Sequence, residues 1–75
     1  MKPEIGCVAT NLDGVDGIIT RIIPARTGLT TFPPIYMGTA ISPGYEGKKW
    51  ETTEPSNVRT FQDFLNRHEG GASGL

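Results

Sequence analysis

Short apolar stretches separated by glycine and proline recur along most of the chain, a pattern that favours strands over helices. Loose alternation over residues 5–10 predicts a first strand, and the turn formers Asn11, Asp13 and Gly14 end it. Further strands are predicted over residues 15–23, 35–41 and 48–53. The pattern therefore predicts a mainly β domain, either a small β-barrel or a bent antiparallel sheet of four to five strands.

The second predicted strand is apolar on both faces. Counting by twos places Ile18 and Ile22 on one face and Ile19 and Ile23 on the other. Such a strand is either covered on both sides or bent across a small barrel. Pro24 then removes a ladder donor, so the polar stretch that follows is predicted to be a loop.

The end of the chain changes to a helical pattern. Thr60 and Asp63 form a capping-box-like pair, and apolar side chains recur at helical spacing behind it. Gly70 offers a stop signal, so one short C-terminal α-helix is predicted over residues 61–68, with residues 70–75 as a flexible tail. Because so short a helix does not persist alone, we expect its apolar stripe to dock on the sheet rather than on a partner. The stripe consists of Phe61, Phe64 and Leu65.

Two glycines precede the branched residues of the second strand. The pattern Gly14-x-x-Gly17-x-Ile19-x-x-Ile22, preceded by Ile5-Gly6-Cys7-Val8, resembles the KOW-type strand-turn-strand unit of small SH3-like barrels. Those barrels occur in transcription and ribosomal proteins. The resemblance covers residues 5–23. It implies an SH3-like β-barrel, a glycine that forms the tight turn, and a nucleic-acid-associated role.

Composition limits the function classes. The chain has 75 residues, enough for one domain, taken as residues 1–69. Its formal net charge of −1 lacks the basic excess of a protein whose main task is to hold nucleic acid. No stretch is long and apolar enough for a membrane span, and no leader is evident, so a soluble protein is expected. Cys7 is the single cysteine, which favours a reducing, cytoplasmic setting.

Catalytic and metal chemistry find little support in the sequence. Cys7 and His68 are the only thiol and imidazole, and they could meet only if the helix packed beside the first strand. One Cys and one His fall short of a zinc site, and Asp13 and Asp16 read as turn formers. We therefore predict no enzyme activity, no cofactor and no metal.

The third and fourth strands carry the candidate binding surface. Pairing Ile41 with Lys48 would put Thr39 opposite Trp50, making Trp50 mostly core; a slip of one residue would put Trp50 beside Gly38. In the favoured register Tyr36 shares the outward face with Lys49 and Glu51. The predicted binding residues are Tyr36, Tyr45, Lys48 and Lys49.

Two function classes remain open. The first is a non-catalytic protein-interaction module: an accessory, regulatory or inhibitor protein, phage-encoded or part of an assembled particle, whose partner is another protein or a second copy. The near-neutral charge favours it. The second is a KOW-like nucleic-acid-associated barrel, favoured by the glycine pattern together with Lys48 and Lys49. An enzyme ranks third.

Overall fold

The computed structural model describes the backbone of residues 2–73 and the side chains as far as Arg67. This part of the chain forms five strands and one helix. They are β1 (Val8–Thr10), β2 (Asp16–Ile23), β3 (Ile35–Ala40), β4 (Lys49–Thr52), β5 (Ser56–Arg59) and α1 (Phe61–Ser73). All pairings are antiparallel, in the order β4-β3-β2-β1-β5. The predicted mainly β fold with a C-terminal helix is confirmed.

The sheet is bent but not closed into a barrel, so the bent sheet is the predicted form that is observed. β4 and β5 are its two edges, although only residues 53–55 connect them in sequence. Four peptide steps reach at most about 14 Å, which brings the two edges near each other at this connection. Closure would need a ladder between β4 and β5, and the described residues contain none.

The first turn of the sheet depends on Asn11 and Gly14. The Asn11 side-chain oxygen accepts hydrogen bonds from the backbone N–H groups of Asp13, at 3.0 Å, and Val15, at 2.9 Å. Gly14 has φ +80°, a conformation that costs an L side chain roughly 1–2 kcal/mol. Of the two glycines in the sequence pattern, Gly14 is therefore the one that the turn requires.

β1 begins later than predicted. Residues 5–6 belong to a turn in which the Cys7 N–H donates to the Glu4 carbonyl at 3.0 Å, and Gly6 there has φ +95°. The turn leaves Ile5 exposed. The strand proper starts at Val8, where regular pairing with Ile18 begins.

The core includes the tryptophan of β4 and small side chains of β1 and β3. Trp50 is 1% exposed, and its indole N–H donates to the Val15 carbonyl at 2.7 Å. The buried cluster consists of Cys7, Ala9, Ile19, Ala40 and Trp50, with Val15, Ile22, Tyr36 and Val58 packed against it. The predictions that Cys7 and Trp50 belong to the core are confirmed.

A β-bulge in β2 changes which side chains share a face. Ile19 pairs with Gly38, and the next pair is Arg21 with Met37, so one extra residue is inserted between them. Ile22 consequently packs against the same core as Ile19. The predicted grouping of Ile18 with Ile22 is therefore wrong, because counting by twos fails across a bulge.

The start of α1 follows its predicted cap, but its end does not. The Thr60 hydroxyl accepts the Asp63 N–H at 3.0 Å, and the Phe64 N–H donates to the Thr60 carbonyl at 3.1 Å. The helix then continues to Ser73, so the predicted end before Gly70 is wrong. Glycine lowers helix stability by about 1 kcal/mol without forbidding helical geometry. Residues 74–75 of the predicted tail lie outside the described residues.

Candidate functional site

The β3–β4 loop brings two of the four predicted binding residues together. The Lys48 ammonium lies 5.7 Å from the centroid of the exposed Tyr45 ring, and the Lys48 N–H donates to the Tyr45 carbonyl at 3.0 Å. The loop is held to the start of β2, because the Asp16 N–H donates to the Ser42 hydroxyl at 2.7 Å. Tyr45 and Lys48 thus form a small, fixed surface feature.

The other two predicted residues lie elsewhere. Thr39 pairs with Lys49 and Gly38 with Trp50, so the observed register is the one-residue slip that the sequence analysis disfavoured. Tyr36 pairs with Thr52 and packs against the core, on the face of Trp50. The predicted sharing of a face by Tyr36 and Lys49 is wrong, because one step of register exchanges the two faces of a strand.

Lys49 itself is an exposed surface lysine. Its ammonium lies 4.0 Å from the Glu51 carboxylate, and both side chains are more than half exposed. Ion pairs of this kind contribute at most about 1 kcal/mol. The pair reduces the positive field that Lys48 and Lys49 would otherwise present together.

The structure shows a feature that the sequence did not reveal. Residues 24–34, predicted as a loop, continue the β2–β3 ribbon beyond its last ladder pair, and we call them the hairpin arm. Arg26 and Phe32 exchange two backbone hydrogen bonds, at 3.0 and 2.8 Å. The arm is exposed along nearly its whole length, in a molecule of 55 × 24 × 17 Å.

Two large apolar side chains of this arm are exposed to solvent. Leu29 at the tip is fully exposed, and Phe32 is 54% exposed. The chemistry of these residues is visible in the sequence, but their exposure depends on the ribbon extending past the sheet. One feature of the sequence sets this region apart: the stretch from Gly17 to Tyr45 contains no acidic residue and just two basic ones, Arg21 and Arg26.

A polar cluster around Arg59 is structural. The Arg59 guanidinium lies 3.0 Å from the Asp16 carboxylate and donates at 2.7 Å to the Asn57 carbonyl. The Thr10 hydroxyl donates to the same carboxylate at 2.5 Å. Arg59 also lies over the Phe64 ring, 5.6 Å from its centroid. This cluster joins β1, β2, β5 and the first turn of α1.

The described residues offer no enclosed site for a small ligand. They contain no cavity, and no group of three or more His, Cys, Asp or Glu side chains that could hold a metal ion. Cys7 is a buried free thiol, and the side chain of His68, the one imidazole of the sequence, lies outside the described residues. Among the described helices, none has the length and apolar character to cross a bilayer.

Comparison of the chain with protein-family models, with curated proteins and with solved structures gave no match.

Proposed function

We propose that the chain is a non-catalytic protein-binding module whose contact element is the hairpin arm. The observation that carries this proposal is the exposure of Leu29 and Phe32 on an ordered ribbon. Burying one such side chain against a partner contributes roughly 1.5–3 kcal/mol, and aromatic anchors are frequent at the centres of protein interfaces.

The arm is organised for binding before a partner arrives. The two hydrogen bonds between Arg26 and Phe32 fix the ribbon, and the prolines at 33 and 34 restrict the backbone that returns to β3. A segment that is already ordered loses less conformational entropy when it binds. The arm can therefore use more of its contact energy for affinity.

Such a module acts as an accessory, regulatory or inhibitor protein, or as a subunit of an assembled particle such as that of a phage. We place it in the cytoplasm, because a single buried cysteine without a disulfide partner suits a reducing compartment. The proposal assigns no reaction and no cofactor to the chain.

The test is affinity capture from the native host with a matched control. Leu29→Ser/Phe32→Ser removes the apolar side chains of the arm, and Ile5→Ser makes a comparable change at an exposed site outside it. We expect wild type and the control to capture the same protein, and the arm variant to lose it while melting unchanged. Equal capture by all three proteins would overturn the proposal.

A nucleic-acid-associated barrel of the KOW kind is the alternative proposal. The observation in its favour is the exposed Tyr45 ring with the Lys48 ammonium beside it, since an aromatic face can stack on a base and a cation can neutralise a phosphate. The net charge of −1 and the pairing of Lys49 with Glu51 speak against it.

A further inference from the structure

The hairpin arm lies at one end of the sheet, and two connections lie at the other. Gly17 pairs with Ala40, so the β1–β2 turn and the β3–β4 loop meet at the end where β2 begins. The Ile41 N–H donates to the Asp16 carbonyl at 2.8 Å and links them. We call residues 11–15 and 41–48 the distal loops. They lie at the end of the molecule opposite the arm.

The two ends differ in charge. The stretch from Gly17 to Tyr45, which includes the arm, carries Arg21 and Arg26 and no acidic residue. The rest of the chain carries five basic residues against eight acidic ones. Within the described side chains, neither arginine lies within ion-pair distance of a carboxylate. The arm itself, residues 24–34, carries Arg26 and no acidic residue, so it is positive while the remainder of the chain is net negative.

The distal loops also combine exposed apolar groups with acidic ones. Leu12 is 72% exposed beside Asp13 in the first loop, and Tyr45 is 49% exposed beside Glu46 in the second. Asp13 and Glu46 form no ion pair with any described residue. With Lys48 included, the distal loops carry two acidic residues and one basic residue, so their net charge is opposite to that of the arm, and both surfaces offer apolar side chains that a contact would bury.

We infer that the arm of one copy of this chain docks on the distal loops of a second copy, head to tail. The inference rests on the proposed function and names the partner of the arm. Arg26 and Leu29 of one copy would face Asp13 and Leu12 of the next, pairing opposite charges and burying both leucines. Docking of arm on arm would instead bring together two positively charged arms that contain no acidic residue.

A contact between two different surfaces has a consequence for assembly. Because each copy retains one free arm and one free pair of distal loops, addition continues until a ring closes or a filament forms. The chain would therefore be a subunit of an open or ring-shaped assembly, not half of a closed two-fold dimer.

Sedimentation velocity over a range of protein and salt concentrations tests the contact. We expect species larger than a dimer to increase with protein concentration and to decrease with added salt, since exposed charges are screened. A wild-type chain that remains monomeric at all concentrations would overturn self-docking. In that case the protein-binding function would still stand if wild type captured another protein from the host and Leu29→Ser/Phe32→Ser did not. Failure of self-docking is thus distinguishable from failure of the proposed function.

Mixing two variants tests the head-to-tail geometry. Arg26→Gln/Leu29→Ser alters only the arm, and Leu12→Ser/Asp13→Asn alters only the distal loops; the substitutions are neutral, so the two altered surfaces do not attract each other in a mixture. All four residues are exposed, so both variants should melt as wild type does. We expect each variant alone to be monomeric and an equimolar mixture to form a dimer and nothing larger. Continued assembly by either variant alone, or a mixture that stays monomeric, would overturn the inference.

Discussion

The indole ring of Trp50 packs directly against Gly17, on the face where a β-carbon of residue 17 would stand. A β-carbon built on Gly17 would stand 2.3 Å from Cγ of Trp50 and 2.5 Å from its Cδ1, far inside van der Waals contact. The indole N–H also donates to the backbone carbonyl of Val15, two residues before Gly17. The ring is therefore held by a hydrogen bond at Val15 and by close packing at Gly17. The glycine makes room for the largest side chain of the core.

Replacing Gly17 with alanine should therefore destabilise the protein by displacing the indole. We expect a loss of about 1–3 kcal/mol, the usual cost of overpacking a core, and a changed Trp50 fluorescence spectrum. Thermal unfolding followed by fluorescence measures both. Gly28→Ala is the control, because no atom lies within 4 Å of a β-carbon there. Equal melting of the two variants would contradict the packing described.

Gly14 should respond to substitution for a different reason. Its φ of +80° makes Gly14→Val unfavourable although nothing lies within 4 Å of its β-carbon, and we expect a loss above 1 kcal/mol or so. Gly14→Asn should cost less, since asparagine tolerates positive φ better than β-branched residues. Chemical denaturation of the three proteins gives the order. If valine and asparagine were equally tolerated, backbone conformation would not be the cause.

Arg59 should link the stability of the sheet to that of α1. Arg59→Met keeps much of the side chain but removes the charge held by Asp16 and placed over Phe64. Since Asp16 would lose its cationic partner in a partly buried site and retain only the Thr10 hydroxyl, we expect a loss of roughly 1–3 kcal/mol and lower helical circular dichroism. Arg67→Met, on the exposed side of the helix, is the control and should change neither signal.

Phe64 and Phe61 stack with ring centroids 6.2 Å apart, yet they should differ in importance. Phe64 is half-buried beneath Arg59, whereas Phe61 is 40% exposed. We expect Phe64→Ala to lower the melting temperature by several degrees, as a loss of about 1 kcal/mol does in a domain of this size, and Phe61→Ala to lower it less. The reverse order in calorimetry would show that α1 is attached through Phe61.

Nucleic-acid binding should be absent. We expect neither single- nor double-stranded oligonucleotides to bind at low salt, because the two lysines of the β4 region are accompanied by Glu46 and Glu51. Fluorescence anisotropy over a salt series measures this. Binding that weakens steeply with salt, and whose slope falls in Lys48→Ala and Lys49→Ala, would instead support the KOW-like alternative.

The sequence was informative where structure is local. The Asn11–Gly14 turn, the ends of β2 and β3 and the Thr60 cap were all predictable, because each depends on residues within a few positions of one another. β5 was not predicted at all. Asn57 in that strand has φ +48°, and the strand exists because β1 offers it an open edge, which is a long-range effect.

The candidate site was harder to predict because it depends on the β3–β4 register and on how far the β2–β3 ribbon extends beyond the sheet. Trp50 was placed in the core correctly but opposite Thr39, where the structure has Gly38. The pattern of polar and apolar residues favours the register that is not observed, and the contact of Trp50 with Gly17, 33 positions earlier, is not visible in any local pattern. The three prolines and the threonines of the arm predict a loop, and the Arg26–Phe32 bridge shows a ribbon instead.

The wide separation in sequence of the β1 and β5 strands has a consequence for folding kinetics. Val8 and Arg59 are paired although they are 51 positions apart, whereas the pairs β1–β2, β2–β3 and β3–β4 each join strands that are neighbours along the chain. Bringing distant segments together costs loop entropy that only later contacts recover, so the four-strand meander β1–β4 should form first and β5 should join last. In the native protein the same strand should then be the first to open, and the amide protons of β5 should exchange with solvent before those of β2.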